Sequence, residues 1–309
     1  MRYRAVHVDA AFALAPGVTV ETGCVRDVMG RAHPVDGYGE LIAKNCRVAV
    51  ASRELTSVMA ELSGTPAEQV ETALLHYAQQ LHSRNLISVH QSFLVELYWE
   101  FVLWPTDLML LLGTRRMPPP RFSSRRIYPS TVLHLARAVV ESFSFLTVAS
   151  LCLTFVVIAA TLILDPLVPR LDIERSGVLA LVAASATLLV LLAAFVHEMG
   201  HLLACRLLGI PVLGIQARRG ATSVLMPRAR GRQLRAAVLA GPAAGALFCM
   251  ASAAVALGIP SPGWQFATID NVRLSLGLVS LLIGVAQLVS LLPLAGDGRA
   301  LRDLGRERR

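Results

Sequence analysis

Two histidines four residues apart, His197 and His201, enclose Glu198 in HEMGH, within the apolar run FVHEMGHLLACRLLG. On a helix, positions i and i+4 share a face, so both imidazoles can bind one divalent metal; Zn2+, one per chain, is the expected ion. Glu198 then lies beside the first ligand. There it can hold a metal-activated water and act as general base, since zinc brings the pKa of such a water to about 7. The setting supports this chemistry. An ionisable side chain at the centre of a spanning helix costs about 2.5–3.5 kcal/mol even on the lenient insertion scale. Three polar residues grouped this closely need a common partner, and a metal serves all of them.

These residues must be positioned by membrane helices. The 309-residue chain is 54% hydrophobic with a mean hydropathy of +0.57, too apolar for an ordinary soluble domain. Four stretches approach or exceed the roughly 20 apolar residues a spanning helix requires: 139–164, 178–208, 236–257 and 274–294. The fold expected is mainly α, a polytopic membrane bundle of about four transmembrane helices following a smaller N-terminal domain. MRYRAVHVDA is neither apolar nor followed by a signal-peptidase pattern, so no export signal is expected there.

The net charge of +8 is concentrated beside the spans. Arg115, Arg116, Arg121, Arg125, Arg126 and Arg137 precede the first; Arg218, Arg219, Arg228, Arg230, Arg232 and Arg235 separate the second from the third; Arg299, Arg302, Arg306, Arg308 and Arg309 follow the fourth. The other two loops hold only Arg170, Arg175 and Arg273. By the positive-inside rule, the expected location is the cell membrane, multi-pass, with both termini cytoplasmic. The charge marks topology, and no nucleic-acid partner is expected. Cys24, Cys46, Cys152, Cys205 and Cys249 show no C-x-x-C pairing and are expected to be small apolar residues rather than disulfides or thiolate ligands.

A hydrolytic zinc site keeps three protein ligands and one open position. Topology selects the third: the second span enters from outside, so His197 and His201 occupy its cytoplasmic half, and the fourth runs inward to SLLPLAGDGRAL, bringing Asp297 to that side. Asp165, Asp172 and Asp270 fall on the opposite face. Asp297 also has an apolar approach and a flanking glycine that permits a tight turn; its alternative is an ordinary helix-end acid beside Arg299. The segment GIPVLGIQARRGATSVLMP alternates β-branched residues around Gly220. It fits a hairpin whose edge strand would hold an extended substrate, and it fits a plain connector equally.

The first third is polar and apolar in ordinary mixture. RYRAVHV and GVTVETGCV carry strand signals; VDGYGELIAKNC, SRELTSVMAELSG and TPAEQVETALLHYAQQLHSRNLISV read as helices, the last ending in a strand, LISV. Thr65, Pro66 and Glu68 supply an N-cap, a first-turn proline and a capping-box carboxylate. Val70, Leu74, Tyr77 and Leu81 mark one buried face. QSFLVELYWEFVLWPTDLMLLLG is interrupted by Glu96, Glu100, Pro105 and Asp107, which favours an interfacial segment over a span. MPPPRF then marks a stiff linker.

Two resemblances follow from these residues. HEMGH in a span, AGPAAG at 240–245 opening the third and LLPLAGDGR closing the fourth are similar to the site-2 protease family of intramembrane zinc metalloproteases, over about residues 138–305. The resemblance implies that His197, His201 and Asp297 hold zinc, that Glu198 is the general base, and that the substrate is a peptide or membrane protein cut as a metalloendopeptidase. The chain departs from that family at Gly245 and Ser290, where asparagine is common, and in a Pro293-to-Asp297 step one residue shorter. Three helices ending in QLHSRNLISV resemble the winged-helix, PqqD-like domain of ribosomally made peptide pathways; a generic winged helix or helical bundle is the alternative. That likeness implies a cytoplasmic α+β domain that binds a leader peptide. The expected organisation is then 1–92 recognition domain, 93–137 interfacial segment and linker, and 138–309 metallopeptidase. Without leader recognition, the expected substrate is a membrane-anchored regulator such as an anti-sigma factor. The rival class is a non-catalytic membrane scaffold for peptide binding or maturation.

Overall fold

A computed structural model describes residues 10–90, 125–164, 173–218, 220–227, 232–258, 267–291 and 297. The chain divides into two compact units, Met1–Pro129 with Gln216–Arg218, and Ser130–Ile215 with Arg219–Arg309. The apolar stretch at 91–113 and the proline-rich linker lie outside the described residues.

In the first unit, β2 (Thr19–Glu21), β3 (Cys24–Arg26) and β4 (Ala32–Pro34) form an antiparallel sheet, realising the strand signal of GVTVETGCV. A second sheet places β5 (Val50–Ala51), β1 (Ala11–Leu14), β6 (Ile87–His90) and β7 (Arg125–Tyr128) side by side in that order. LISV thus returns to a sheet as expected, with Phe12 opposite Val89. Strand β1 carries two alanines, poor strand formers, and the sequence reading passes over it; its pairing and the complete burial of Phe12 decide its conformation.

Helix α1 (Gly37–Asn45) is capped by Asp36, whose Oδ1 accepts from the Gly39 N–H at 2.8 Å and whose Oδ2 accepts from the Tyr77 hydroxyl. Glu40 accepts from the Gly23 N–H at 2.8 Å, tying the helix to the β2–β3 turn. Helix α2 (Ser52–Ser63) stops at Gly64, whose φ of +63° suits a glycine at a left-handed C-cap. Helix α3 (Ala67–Ser83) begins later than its capping signal suggests. Pro66 is the cap residue, extended at ψ 137°, and no side chain caps the helix; its carbonyl accepts from the Gln69 and Val70 N–H groups instead. Val70, Leu74 and Leu81 are buried as expected, but Ala78 completes that face and Tyr77 sits at its margin. The core gathers Phe12, Ile42, Leu55, Met59, Leu74 and Ile87. Cys46 is fully buried there, and burial pushes its thiol pKa up to about 12.

In the second unit, α4 (Val132–Ser142) begins at Thr131, whose Oγ1 accepts from the His134 N–H at 3.3 Å. Phe143 ends it, and α5 (Ser144–Leu164) leaves at a 52° bend measured to Val156. The stretch at 139–164 is therefore not one straight helix: Phe143, at φ −105° and ψ 13°, departs from helical geometry although its N–H still reaches the Val139 carbonyl. Strand β7 and the first half of helix α4 fall within the segment 93–137. Helices α6 (Ile173–Leu207), α7 (Arg232–Gly258) and α8 (Ala267–Val289) follow, with β8 (Gly214–Arg218) and β9 (Ala221–Leu225) between α6 and α7. Gly220, at φ +70°, separates the strands, and the Leu213 N–H donates to the Leu225 carbonyl at 2.9 Å, as in the hairpin alternative.

Among the described residues three helices are long and apolar enough to cross a membrane: Ala180–Leu207, Arg232–Gly258 and Val272–Val289. The bent α4–α5 pair makes a fourth only if counted as one span. Leu151, Phe155, Leu188, Leu247 and Leu282 are each more than half exposed, as suits helices surrounded by hydrocarbon. Between the helices, glycine permits close approach: a Cβ on Gly200 would stand 2.6 Å from the Ala240 carbonyl oxygen and 2.9 Å from Ala244 Cβ, and one on Gly284 3.2 Å from Cys249 Cβ.

Leu74→Ala is expected to destabilise the first unit by about 2–5 kcal/mol. Maleimide labelling of Cys46 in the full-length protein reads this out, accelerating as opening becomes more frequent; an unchanged labelling rate would contradict the central place of Leu74.

Candidate metal centre

Helix α6 supplies HEMGH in its last three turns, and the helical spacing has its expected effect: the His197 and His201 Nε2 atoms lie 3.1 Å apart. Their rings meet edge to face, with centroids 4.9 Å apart. His197, Glu198 and His201 are 8%, 6% and 3% exposed. One potential ligand atom from each lies within 4.8 Å of the others, so this buried group can hold a metal ion.

Each of these side chains has a partner. His201 Nδ1 is 2.8 Å from the Ala237 carbonyl oxygen of α7. His197 Nδ1 is 2.5 Å from Gln287 Oε1 of α8. A backbone carbonyl oxygen only accepts, so His201 Nδ1 carries the proton and its Nε2 presents a lone pair towards the other ring; the same follows at His197 when the Gln287 amide presents its oxygen. Glu198 Oε2 accepts from the Val224 N–H of β9 at 2.9 Å, which fixes the carboxylate beside the histidines.

Asp297 lies beyond α8 and reaches the same place. Its Oδ2 is 3.2 Å from His197 Nε2 and 3.4 Å from Ser290 Oγ; its Oδ1 is 3.6 Å from His201 Nε2. Ser290 also donates to the Gln287 carbonyl at 2.6 Å. All four residues singled out by sequence are thus brought together: two histidines and Glu198 from one helix, and Asp297 from the segment after α8.

The sequence reading missed the groups that orient them. Ala237 O and Val224 N–H are backbone atoms, and no residue type announces them. Gln287 had a signal, a primary amide within the apolar span Val272–Val289, one turn before Ser290. Gly241 had another in AGPAAG: a Cβ there would collide with His201 Nε2, so the imidazole occupies the space this glycine leaves. Comparison of the chain with protein-family models, with curated proteins and with solved structures finds no match.

Gly241→Ala is expected to displace the His201 ring and lower metal affinity at least about tenfold, the scale seen when ligand orientation is lost. Gly258→Ala, with nothing within 4 Å of the added carbon, should leave it unchanged. Metal content of the two purified variants measures the difference.

Proposed function

We propose that the second unit is a membrane-embedded zinc metalloendopeptidase of the site-2 protease kind, acting on a peptide or membrane-protein substrate. One observation carries this reading. In a tetrahedral zinc site with ligand bonds of about 2.0–2.1 Å, neighbouring ligand atoms stand about 3.3 Å apart. The three separations among His197 Nε2, His201 Nε2 and the Asp297 oxygens are 3.1, 3.2 and 3.6 Å. Two imidazoles and a carboxylate are a familiar donor set for catalytic zinc, which leaves a fourth position for reaction.

When bound, zinc supplies Lewis acidity, lowering the pKa of a coordinated water to about 7 and polarising a carbonyl oxygen. The chain's own groups do the rest. Glu198, held through Oε2 by the Val224 N–H, takes a proton from the attacking water at Oε1 and returns it to the leaving amine nitrogen as the peptide C–N bond breaks. Strand β9 borders Glu198 and offers an edge along which an extended substrate can lie. Buried Leu202 and Ala193, on the same helix, help keep the surroundings apolar.

The wider reading keeps the chain multi-pass in the cell membrane with both termini cytoplasmic, as the arginine distribution supports. The first unit serves as a winged-helix-like recognition domain for a peptide leader; its three helices and returning strand β6 support that role. A non-catalytic scaffold is the competing outcome, and the departures at Gly245 and Ser290 are its basis.

Glu198→Gln separates the two. In membranes, cleavage of a membrane-anchored reporter with an extended juxtamembrane segment is expected to fall about 10²–10⁴-fold, the usual contribution of a general base, with zinc content preserved. Equal product from wild type and variant would sink the peptidase reading. Asp297→Ala should lose zinc while retaining its helical circular dichroism; full zinc retention would remove Asp297 from the ligand set.

A further inference from the structure

We propose that Gln287 is the positioning residue for His197, and that Gly245 exists to give it room. The inference rests on the reading of His197 as a metal ligand and adds a group to that centre. A primary amide in an apolar span needs a partner, because hydrocarbon supplies none. Gln287 Oε1 has one in His197 Nδ1, at 2.5 Å. The contact sets the tautomer. With the amide oxygen towards the ring, Nδ1 holds the proton and Nε2 keeps the lone pair that faces His201 and Asp297. With the amide reversed, its NH2 would require an unprotonated Nδ1, and the proton at Nε2 would block ligation.

Packing supports this geometry from the far side. A Cβ on Gly245 would stand 3.0 Å from Gln287 Cδ, 3.1 Å from Oε1 and 3.2 Å from Cγ. Contacts that tight are rare, so any larger residue at 245 presses the amide towards His197 or out of its place. One turn later, Ser290 Oγ lies 3.4 Å from Asp297 Oδ2. The end of α8 and the residue after it therefore reach two of the proposed ligands, His197 through Gln287 and Asp297 through Ser290. Gln287 is to His197 what the Ala237 carbonyl is to His201, with the difference that a side chain can be replaced.

The test measures zinc affinity of the full-length protein in detergent micelles by chelator competition, with the visible spectrum of the cobalt-substituted protein alongside. Gln287→Leu is expected to weaken zinc about 10–100-fold, as loss of a hydrogen bond to a ligating histidine does, and to alter the cobalt bands. Gln287→Glu keeps an acceptor at the same reach and is expected to restore affinity to within a few-fold. Gly245→Ala leaves α8 intact and crowds the amide from α7; a several-fold loss is expected. Unchanged affinity in Gln287→Leu overturns the positioning role. So does a loss in Gln287→Glu as large as in Gln287→Leu, which would mark packing alone. Absence of zinc from the wild-type protein would instead overturn the metal reading itself, and this role with it.

Discussion

A polar side chain in an apolar helix must find its partner inside the protein, because the surrounding hydrocarbon offers none. Helix α6 carries three such groups within two turns, and much of the second unit can be understood as their accommodation. The Ala237 carbonyl, the Gln287 amide and the Val224 N–H come from three different elements, and each meets one member of HEMGH. None of these contacts survives a shift of an ångström or two in its element. Helix packing and polar satisfaction are therefore one requirement.

Small residues meet that requirement. Gly200 lets α7 approach α6 until a carbonyl oxygen lies only 2.6 Å from where a Cβ would be, and Gly241 on α7 yields its side-chain space to an imidazole. Gly245, one helical turn further along, yields its space to an amide from α8. In lipid, association between helices has little hydrophobic drive and relies on close van der Waals contact and hydrogen bonds. Here the same glycines that permit contact also leave room for the polar groups. AGPAAG thus has two duties, and it also carries Pro242 inside helix α7.

The sequence carried the charged part of the site plainly. His197, Glu198 and His201 are legible because helical spacing alone places them on neighbouring faces of one helix. Asp297 is legible less directly, from the side of the membrane on which its span should end. The orienting partners are less visible: two are main-chain atoms, and the third is a glutamine without any short-range motif. The first unit repeats this division. The buried stripe of α3 follows from periodicity, whereas its true start depends on the backbone angle of Pro66, and β1 depends on a partner strand more than seventy residues away in sequence. Local patterns announce elements; contacts between distant segments do not announce themselves.

The length of α6 bears on how water would reach such a centre. The apolar part, Ala180–Leu207, has 28 residues and so measures about 42 Å, against a hydrocarbon thickness of about 30 Å. His201 is six residues from its end, about 9 Å along the axis. A helix standing upright and centred would project about 6 Å at each side, leaving His201 about 3 Å below the hydrocarbon boundary; a helix tilted to fit would leave it about 6 Å below. For His201 that depth is about one or two water molecules; for His197, four residues deeper, it is about 9–11 Å, or about three to four. The centre would lie within about the outer third of the bilayer, supplied with water from the nearer surface without a channel through the whole membrane.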